Sequence, residues 1–258
     1  MQFGVVTVLP ELLGGLGAGG VTGRAIDSGR VGVSTFNPRE YTTDRHRTVD
    51  DRPYGGGPGM VMMVEPLRAA IGAARADLPG APVVYLTPQG PVLRQRQLEH
   101  WALGPGLILL CGRYEGVDER LIGLEVDEEL SLGDFVLSGG EVAAMAVIDG
   151  VARLLPGVLG CENSAAQDSF ADGLLDYPHY TRPERVDGLD APEVLLSGHH
   201  NNIARWRLKQ ALGRTFERRP ELLQERGVNE QERVLLDEYL AERTQRGTTR
   251  HTTDDRKN

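Results

Sequence analysis

A chain of 258 residues, 40% hydrophobic and 25% charged, holds enough apolar material for one large domain or two ordinary ones. It contains no apolar run of about 18 residues and no basic, uninterrupted leader in "MQFGVVTVLPELLGG", which excludes a membrane span and a secretory signal and leaves a cytoplasmic protein as the expectation. The net charge of −9 speaks against a nucleic-acid partner, and Cys111 and Cys161, far apart and outside any Cys-x-x-Cys, speak against a disulfide scaffold or a structural zinc site. The apolar runs 3–9, 82–87 and 106–111 are bounded by Gly or Pro and read as buried strands. Helical patterns occupy 65–77 and 93–103, so strands and helices alternate as in an α/β domain with a largely parallel sheet. Residues 140–155 form a helix with only Glu141, Asp149 and Arg153 charged, a composition that calls for burial, including burial against a second subunit.

After Pro156 the pattern changes. Residues 160–183 are small, polar and Pro-punctuated and read as a linker, and short helices are expected over 201–213, 219–226 and 229–243 with no strand among them. The domain boundaries expected are 1–160 for the α/β part, 161–176 for a mobile linker, 177–246 for an all-helical part and 247–258 for a disordered tail. The net charge conceals an asymmetry: residues 1–178 carry 13 basic and 23 acidic side chains, whereas 179–258 carry 15 and 14. Within 201–220, Arg205, Arg207, Lys209, Arg214, Arg218 and Arg219 face a single acid, the local signature of a surface that meets phosphates. Because 26 of the 28 basic residues are Arg, the patch also fits a chain-wide bias.

Three stretches carry chemistry. "CGRYEGVDER" (111–120) follows a strand, where ligands of open α/β sheets sit, and Gly112 and Gly116 let backbone approach them closely. Its structural reading is a strand–turn–helix connection with Glu115 and Asp118 facing the helix dipole. "SLGDFVLSGGE" (131–141) is glycine-rich but has neither the Lys-Ser/Thr of a P-loop nor dinucleotide spacing; Ser138 and Glu141 stand at capping-box separation. The two turns together make a pocket of backbone donors and acceptors. With Glu115, Asp127, Glu128, Glu129 and Asp134 nearby, it suits a neutral or cationic nucleoside better than a polyphosphate. "DRHRTVDDRPYGGGPGMVMM" (44–63) is a loop of particular backbone path, and its Arg and Asp residues read by default as a surface ion-pair network.

The segments "VTGRA", "DRHRTVDDRPYGGGPGM", "LTPQG", "LCGRYEGVDER", "SLGDFVLSGGE", "IDGVARLLPGVLG", "DSFADGLLDYPHYTRP" and "WRLKQALGRT" occur in the order in which they stand in the TrmD family. The chain thus resembles bacterial tRNA (guanine-N1)-methyltransferases of the SPOUT superfamily over about residues 1–225. The resemblance implies a SPOUT-type, trefoil-knotted parallel sheet with a small helical C-terminal domain, a feature that the default rule against threaded connections would not suggest. It also implies a homodimer whose active site lies at the subunit interface. The methyl donor would be S-adenosylmethionine, held by Leu86, Thr87, Pro88, Gly112, Tyr114, Glu115, Gly116, Leu132, Gly133, Asp134, Phe135, Val136, Leu137, Gly139 and Gly140. The family pattern carries Pro where this chain has Ala143.

The reaction implied is methylation of N1 of the guanosine 3′ of the anticodon, tRNA position 37, which maintains the reading frame. N1 is protonated at neutral pH, so the reaction needs a general base, and a cation offsets charge growing on O6. By resemblance these are Asp168 and Arg153. On the residues alone, Asp168 reads as a solvated carboxylate, and Arg153 as an i,i+4 partner of Asp149. The resemblance further implies a divalent ion, taken as Mg²⁺, whose site the sequence does not place; Glu115 is the one candidate. The segment 161–175 is expected to order over the target base only with tRNA. The rival readings are a SPOUT enzyme acting on ribose or another base, and a non-catalytic RNA-binding module.

Overall fold

The computed structural model describes residues 1–160 and 168–254, with side chains through 245. The chain divides into two compact units, Met1–Glu162 and Asn163–Asn258. In the first, strands β1 (Gln2–Val6), β2 (Gly32–Phe36), β5 (Val83–Leu86), β6 (Leu107–Cys111) and β7 (Glu128–Leu130) form one sheet in the order β2-β1-β6-β5-β7. Every pairing is parallel, with Phe3 beside Leu107, Ile108 beside Val83 and Val84 beside Glu128. Parallel strands are linked by crossovers and covered on both faces, which is why β5 and β6 are uninterrupted apolar runs.

Alternation along the strands separates two cores. Phe3, Val5, Leu107, Leu109, Val84 and Leu86 face one way and pack with Leu98 and Trp101 of α3 (Gln95–Ala102) and with Ala144, Val147, Ile148 and Val151 of α5 (Glu141–Ala152). Val6, Ile108, Leu110, Val83 and Tyr85 face the other way, against Leu67, Ala70, Ile71 and Ala74 of α2 (Val64–Asp77) and Leu121 of α4 (Glu119–Glu125). Helix α1 (Gly20–Asp27) adds Ala25 to the first core. The expected strands 3–9, 82–87 and 106–111 and helices 65–77, 93–103 and 140–155 are all present with shifted ends. A short antiparallel pair, β3 (Asp50–Asp51) and β4 (Val61–Met62), closes the 44–63 loop. Among the described residues, the Arg and Asp side chains of this loop form no ion-pair network. Asp44 instead accepts from the backbone N–H of His46 and Thr48 and from the Thr48 hydroxyl, bending the chain locally.

The second unit is not all-helical. Arg185–Val186 and Leu189–Asp190 pair as a hairpin across Asp187 and Gly188, both at positive φ (47° and 80°), the conformation of an Asp-Gly turn. One helix, His200–Arg218, runs straight through Gly213, where an end was expected. A side chain at Gly213 would collide with the Tyr239 ring, so this glycine permits close packing rather than ending a helix. Helices Pro220–Arg226 and Glu230–Asp254 follow, the latter continuing past the end expected at 243 and into the stretch expected to be a disordered tail. Part of the expected linker is anchored to these helices. Leu174 is buried with Leu212 and Leu223, Leu175 N–H donates to Thr215 Oγ1 (2.9 Å) and Asp176 N–H to Ser169 Oγ (3.0 Å). Residues 161–167 of that linker lie outside the described residues.

No helix among the described residues is long and apolar enough to cross a membrane. Glu232, at the start of the last helix, accepts from both Nη atoms of Arg226 (2.9 and 2.7 Å) and from Asn229 N–H (3.0 Å). The Arg226 guanidinium holds its carboxyl below the ordinary value of 4.5. A depressed carboxylate stabilises the fold above the unfolded value, and that contribution disappears as pH falls through the folded one. Urea unfolding of the second unit, followed from about pH 6 to about pH 3, should lose stability over the lower part of that range. Glu232→Gln should flatten the loss, and an unchanged slope would exclude this pair as its source.

Candidate active site

All five strands run in one direction, so their carboxyl ends lie along one edge of the sheet, and the segments leaving β5, β6 and β7 meet there. They are laced by backbone bonds. Thr87 N–H donates to Leu130 O (2.8 Å), Leu93 N–H to Ser131 O (2.8 Å), and Gly140 N–H to Gly112 O (3.1 Å). Between them is a cavity of about 340 Å³, a volume typical of sites for small molecules. Residues 86–88, Gly112, Tyr114, Glu115, Gly116, Leu132, Gly133, Phe135, Val136, Leu137, Gly139 and Gly140 all line it, so the structure brings together every residue expected to bind the donor except Asp134, which is exposed and outside the lining.

The glycines are required by close approaches. A Cβ on Gly140 would stand 2.7 Å from Cys111 Cα, and one on Gly139 would strike the Arg113 guanidinium. Tyr114 adopts φ 60°, uncommon for a residue with a side chain, and its hydroxyl accepts from Arg39 Nη2 (3.2 Å); Arg39 also holds Arg47 O (3.0 Å). The 44–63 loop thereby joins the site. Glu115 N–H donates to Met60 O and Met62 N–H to Gly116 O, both at 2.9 Å, and a side chain at Gly59, itself at φ 79°, would overlap Glu115.

One local reading needs correction. Ser138 and Glu141 do not form a capping box: α5 begins on Gly140 with no side-chain cap, and Glu141 is fully buried. Its carboxylate accepts instead from Thr7 Oγ1 (2.7 Å) and from Arg113 Nε (3.0 Å) and Nη2 (2.8 Å), because two inward donors outcompete a backbone N–H at the protein surface. Asp118, by contrast, does cap α4, accepting from Arg120 N–H (3.0 Å). The Arg120 guanidinium depresses its carboxyl.

Sequence reasoning missed Tyr85 and Arg113, both in the lining. Burial raises the Tyr85 hydroxyl above its ordinary value, and the ring lies against Gly112 in the pocket wall. Its position near the end of a wholly buried strand, facing a glycine turn, was the available signal. Arg113 was hidden by its place beside Gly112, in a turn read for its glycines.

The expected catalytic pair is distributed over the two units. Arg153 caps the C-terminus of α5, with its N–H on Asp149 O (3.1 Å), while the Asp149 carboxylate accepts from the Thr22 hydroxyl. The 12 residues of α5 place Arg153 about 18 Å from the pocket end of the helix, and it is not in the lining. Asp168 lines a cleft of about 240 Å³ in the second unit with Asp172, Asp176, Tyr177 and Arg207. The Arg207 guanidinium lies over the Tyr177 ring (4.8 Å), a cation–π contact.

Of the six basic residues expected to meet tRNA, three form ion pairs with described residues. Arg205 donates twice to Glu238 (2.9 and 2.6 Å), Lys209, nearly buried, donates to Glu242 (2.5 Å), and Arg219 bonds Glu221. Arg218 is exposed and Arg214 half-buried.

A glycine-lined pocket at the carboxyl edge of a parallel sheet, rich in backbone polar groups and with acids in its wall, defines an α/β protein with a site of small-molecule size. Comparison with known proteins narrows this class. The family model described as "tRNA (Guanine-1)-methyltransferase TrmD" matches residues 1–225. Proteins named tRNA (guanine-N(1)-)-methyltransferase are similar over nearly their whole length. That of Shewanella woodyi is 59% identical over 93% of this chain and 97% of its own, and that of Methylococcus capsulatus 60% identical over 94% and 97%. The Photorhabdus laumondii protein is 58% identical over the same shares as the latter. The chain belongs to the TrmD family of tRNA (guanine-N1)-methyltransferases. Membership implies S-adenosylmethionine as methyl donor.

Since a Cβ at Gly140 would press on Cys111, Gly140→Ala should part the two turns at their Gly140–Gly112 bond. Calorimetric titration should show S-adenosylmethionine affinity falling at least about tenfold, at a stability cost of about 1–3 kcal/mol. Wild-type affinity in a folded variant would show that the junction does not shape the pocket.

Proposed function

We propose that the protein transfers a methyl group from S-adenosylmethionine to N1 of the guanosine 3′ of the anticodon, position 37 of tRNA. The observation that carries the reading is the convergence of the 86–88, 112–116 and 132–140 segments on one pocket in a chain of this family. The pocket fits the donor: close-set glycine backbone presents polar groups to an adenosyl moiety, Tyr114 and Phe135 offer aromatic faces, and Glu115 and Glu119 favour a cation. When bound, the donor supplies an electrophilic methyl group. The residues of 86–88, 112–116 and 132–140 hold and orient it. The same lacing of segments supports the reading of a trefoil knot.

Asp168 takes the N1 proton, making the ring-nitrogen lone pair available, and Arg153 offsets charge growing on O6. Within one chain α5 separates Arg153 from the pocket, which supports a homodimer in which a second copy completes each site. Guanine N1 lies on the Watson–Crick edge, so the base must leave its stack to be reached. Among the described residues no cluster of three or more His, Cys, Asp or Glu is placed to hold a divalent ion.

The deciding experiment is incubation with methyl-labelled S-adenosylmethionine and undermodified tRNA, followed by identification of the nucleoside. 1-Methylguanosine is expected; a ribose-methylated product, or none, would overturn the reading. Asp168→Asn should lower single-turnover methyl transfer by about 10²–10⁴ while S-adenosylmethionine binding is retained. Turnover close to wild type would remove Asp168 from the base role.

The pairing of Arg205, Lys209 and Arg219 makes Arg214 and Arg218 the stronger candidates for phosphate contacts. If each meets one phosphate, neutralising either to Gln should weaken tRNA binding and flatten the log–log salt dependence by about 0.9. A slope unchanged in both variants would place the RNA surface elsewhere.

A further inference from the structure

The pocket lining contains one basic side chain, Arg113, alongside Glu115 and Glu119. An arginine in the wall repels the sulfonium of the donor, since two like charges oppose one another across a low-dielectric cavity, and the donor's carboxylate is the one group it attracts. The structure shows what answers it. Arg113 is bound through Nε and Nη2 to Glu141, which is fully buried, and through Nη1 to Ser138 O (3.3 Å). Glu141 is held in turn by the Thr7 hydroxyl at the end of β1, and Thr7 is itself fully buried. The carboxylate side of the pair is therefore shielded from salt and water while Arg113 reaches the pocket wall, whereas Glu115 and Glu119 are exposed and screened.

We propose that Glu141 is a specificity-determining residue. By neutralising Arg113 from inside the protein, it keeps the pocket receptive to a positively charged donor and sets the preference for a sulfonium over the uncharged thioether that remains after methyl transfer. This rests on the reading of the pocket as the donor site. Arg113 supplies geometry, tying the 112–116 and 133–140 turns together, and Glu141 removes the electrostatic penalty of using an arginine to do it. Glu141 touches no ligand in this role and acts through Arg113.

The test compares binding of S-adenosylmethionine, S-adenosylhomocysteine and sinefungin, whose ammonium group retains the positive charge, by titration calorimetry. Glu141→Gln keeps the shape and removes the charge. It should reduce affinity for both cations relative to S-adenosylhomocysteine by about tenfold, the scale of one unit charge at about 10 Å and an effective dielectric constant of about 20. Arg113→Gln, leaving Glu141 charged, should move the ratio in the opposite direction, and the double variant should return it near wild type. The latter two variants also decide the matter if Glu141→Gln alone does not fold. Equal losses for charged and uncharged ligands, or a ratio that does not respond to either charge, would overturn the proposal and leave Glu141 a purely structural residue. A wild-type protein that binds none of the three would instead sink the donor-pocket reading, and the inference with it.

Discussion

A carboxylate cut off from water must find its hydrogen-bond donors within the protein, and Glu141 finds them on segments that the sequence keeps far apart. Thr7 stands at the end of the first strand, Arg113 just after β6, and Glu141 at the head of α5, itself preceded by the second glycine turn. Breaking a buried pair of this kind typically costs about 3–5 kcal/mol, because the remaining charge has nowhere to go. The three elements are therefore fixed relative to one another wherever the pair forms. The glycines follow from this fixing: with Arg113 pinned, Gly139 cannot carry a side chain, and with α5 drawn against β6, Gly140 cannot either.

The sheet makes that meeting possible. A parallel arrangement delivers each strand's exit to the same edge, so turns remote in sequence become neighbours without long excursions. The 44–63 loop joins from the side, its backbone bonded to the 115–118 stretch and its Arg39-held neighbour Tyr114 locked in a left-handed conformation. What sequence presents as three separate glycine-rich puzzles is one wall.

The central strands were legible because burial on both faces demands continuous apolar residues. The edge strands β2 and β7 were not: "GVSTF" is partly exposed, and "EEL" keeps two acids on a strand with one neighbour. The Ser138–Glu141 spacing matched a capping box, yet spacing cannot reveal two better donors brought in by tertiary structure. Gly213 carried the same ambiguity, since a glycine that ends a helix and one that admits a neighbouring ring look identical in sequence. The Asp187-Gly188 hairpin was readable from its dipeptide and was obscured by the polar stretch around it. For the site, pattern suggested two glycine turns and a nucleoside, while the extended list of residues came from family resemblance. Ion pairing of the 201–220 stretch was invisible because its acidic partners, Glu238 and Glu242, lie on another helix.

Helix α5 carries Glu141 at its first residue and, at the cap after the last, Arg153, the proposed O6-side cation. A helix advances about 1.5 Å and turns about 100° per residue, so it fixes both distance and direction between its ends. Deleting one residue from its middle would leave the pocket end seated and swing Arg153 onto a different face, whatever residue was removed. Substitutions along the exposed side of α5 are thus a different matter from changes in its length, which is a specification in its own right, read out as the aim of a single guanidinium.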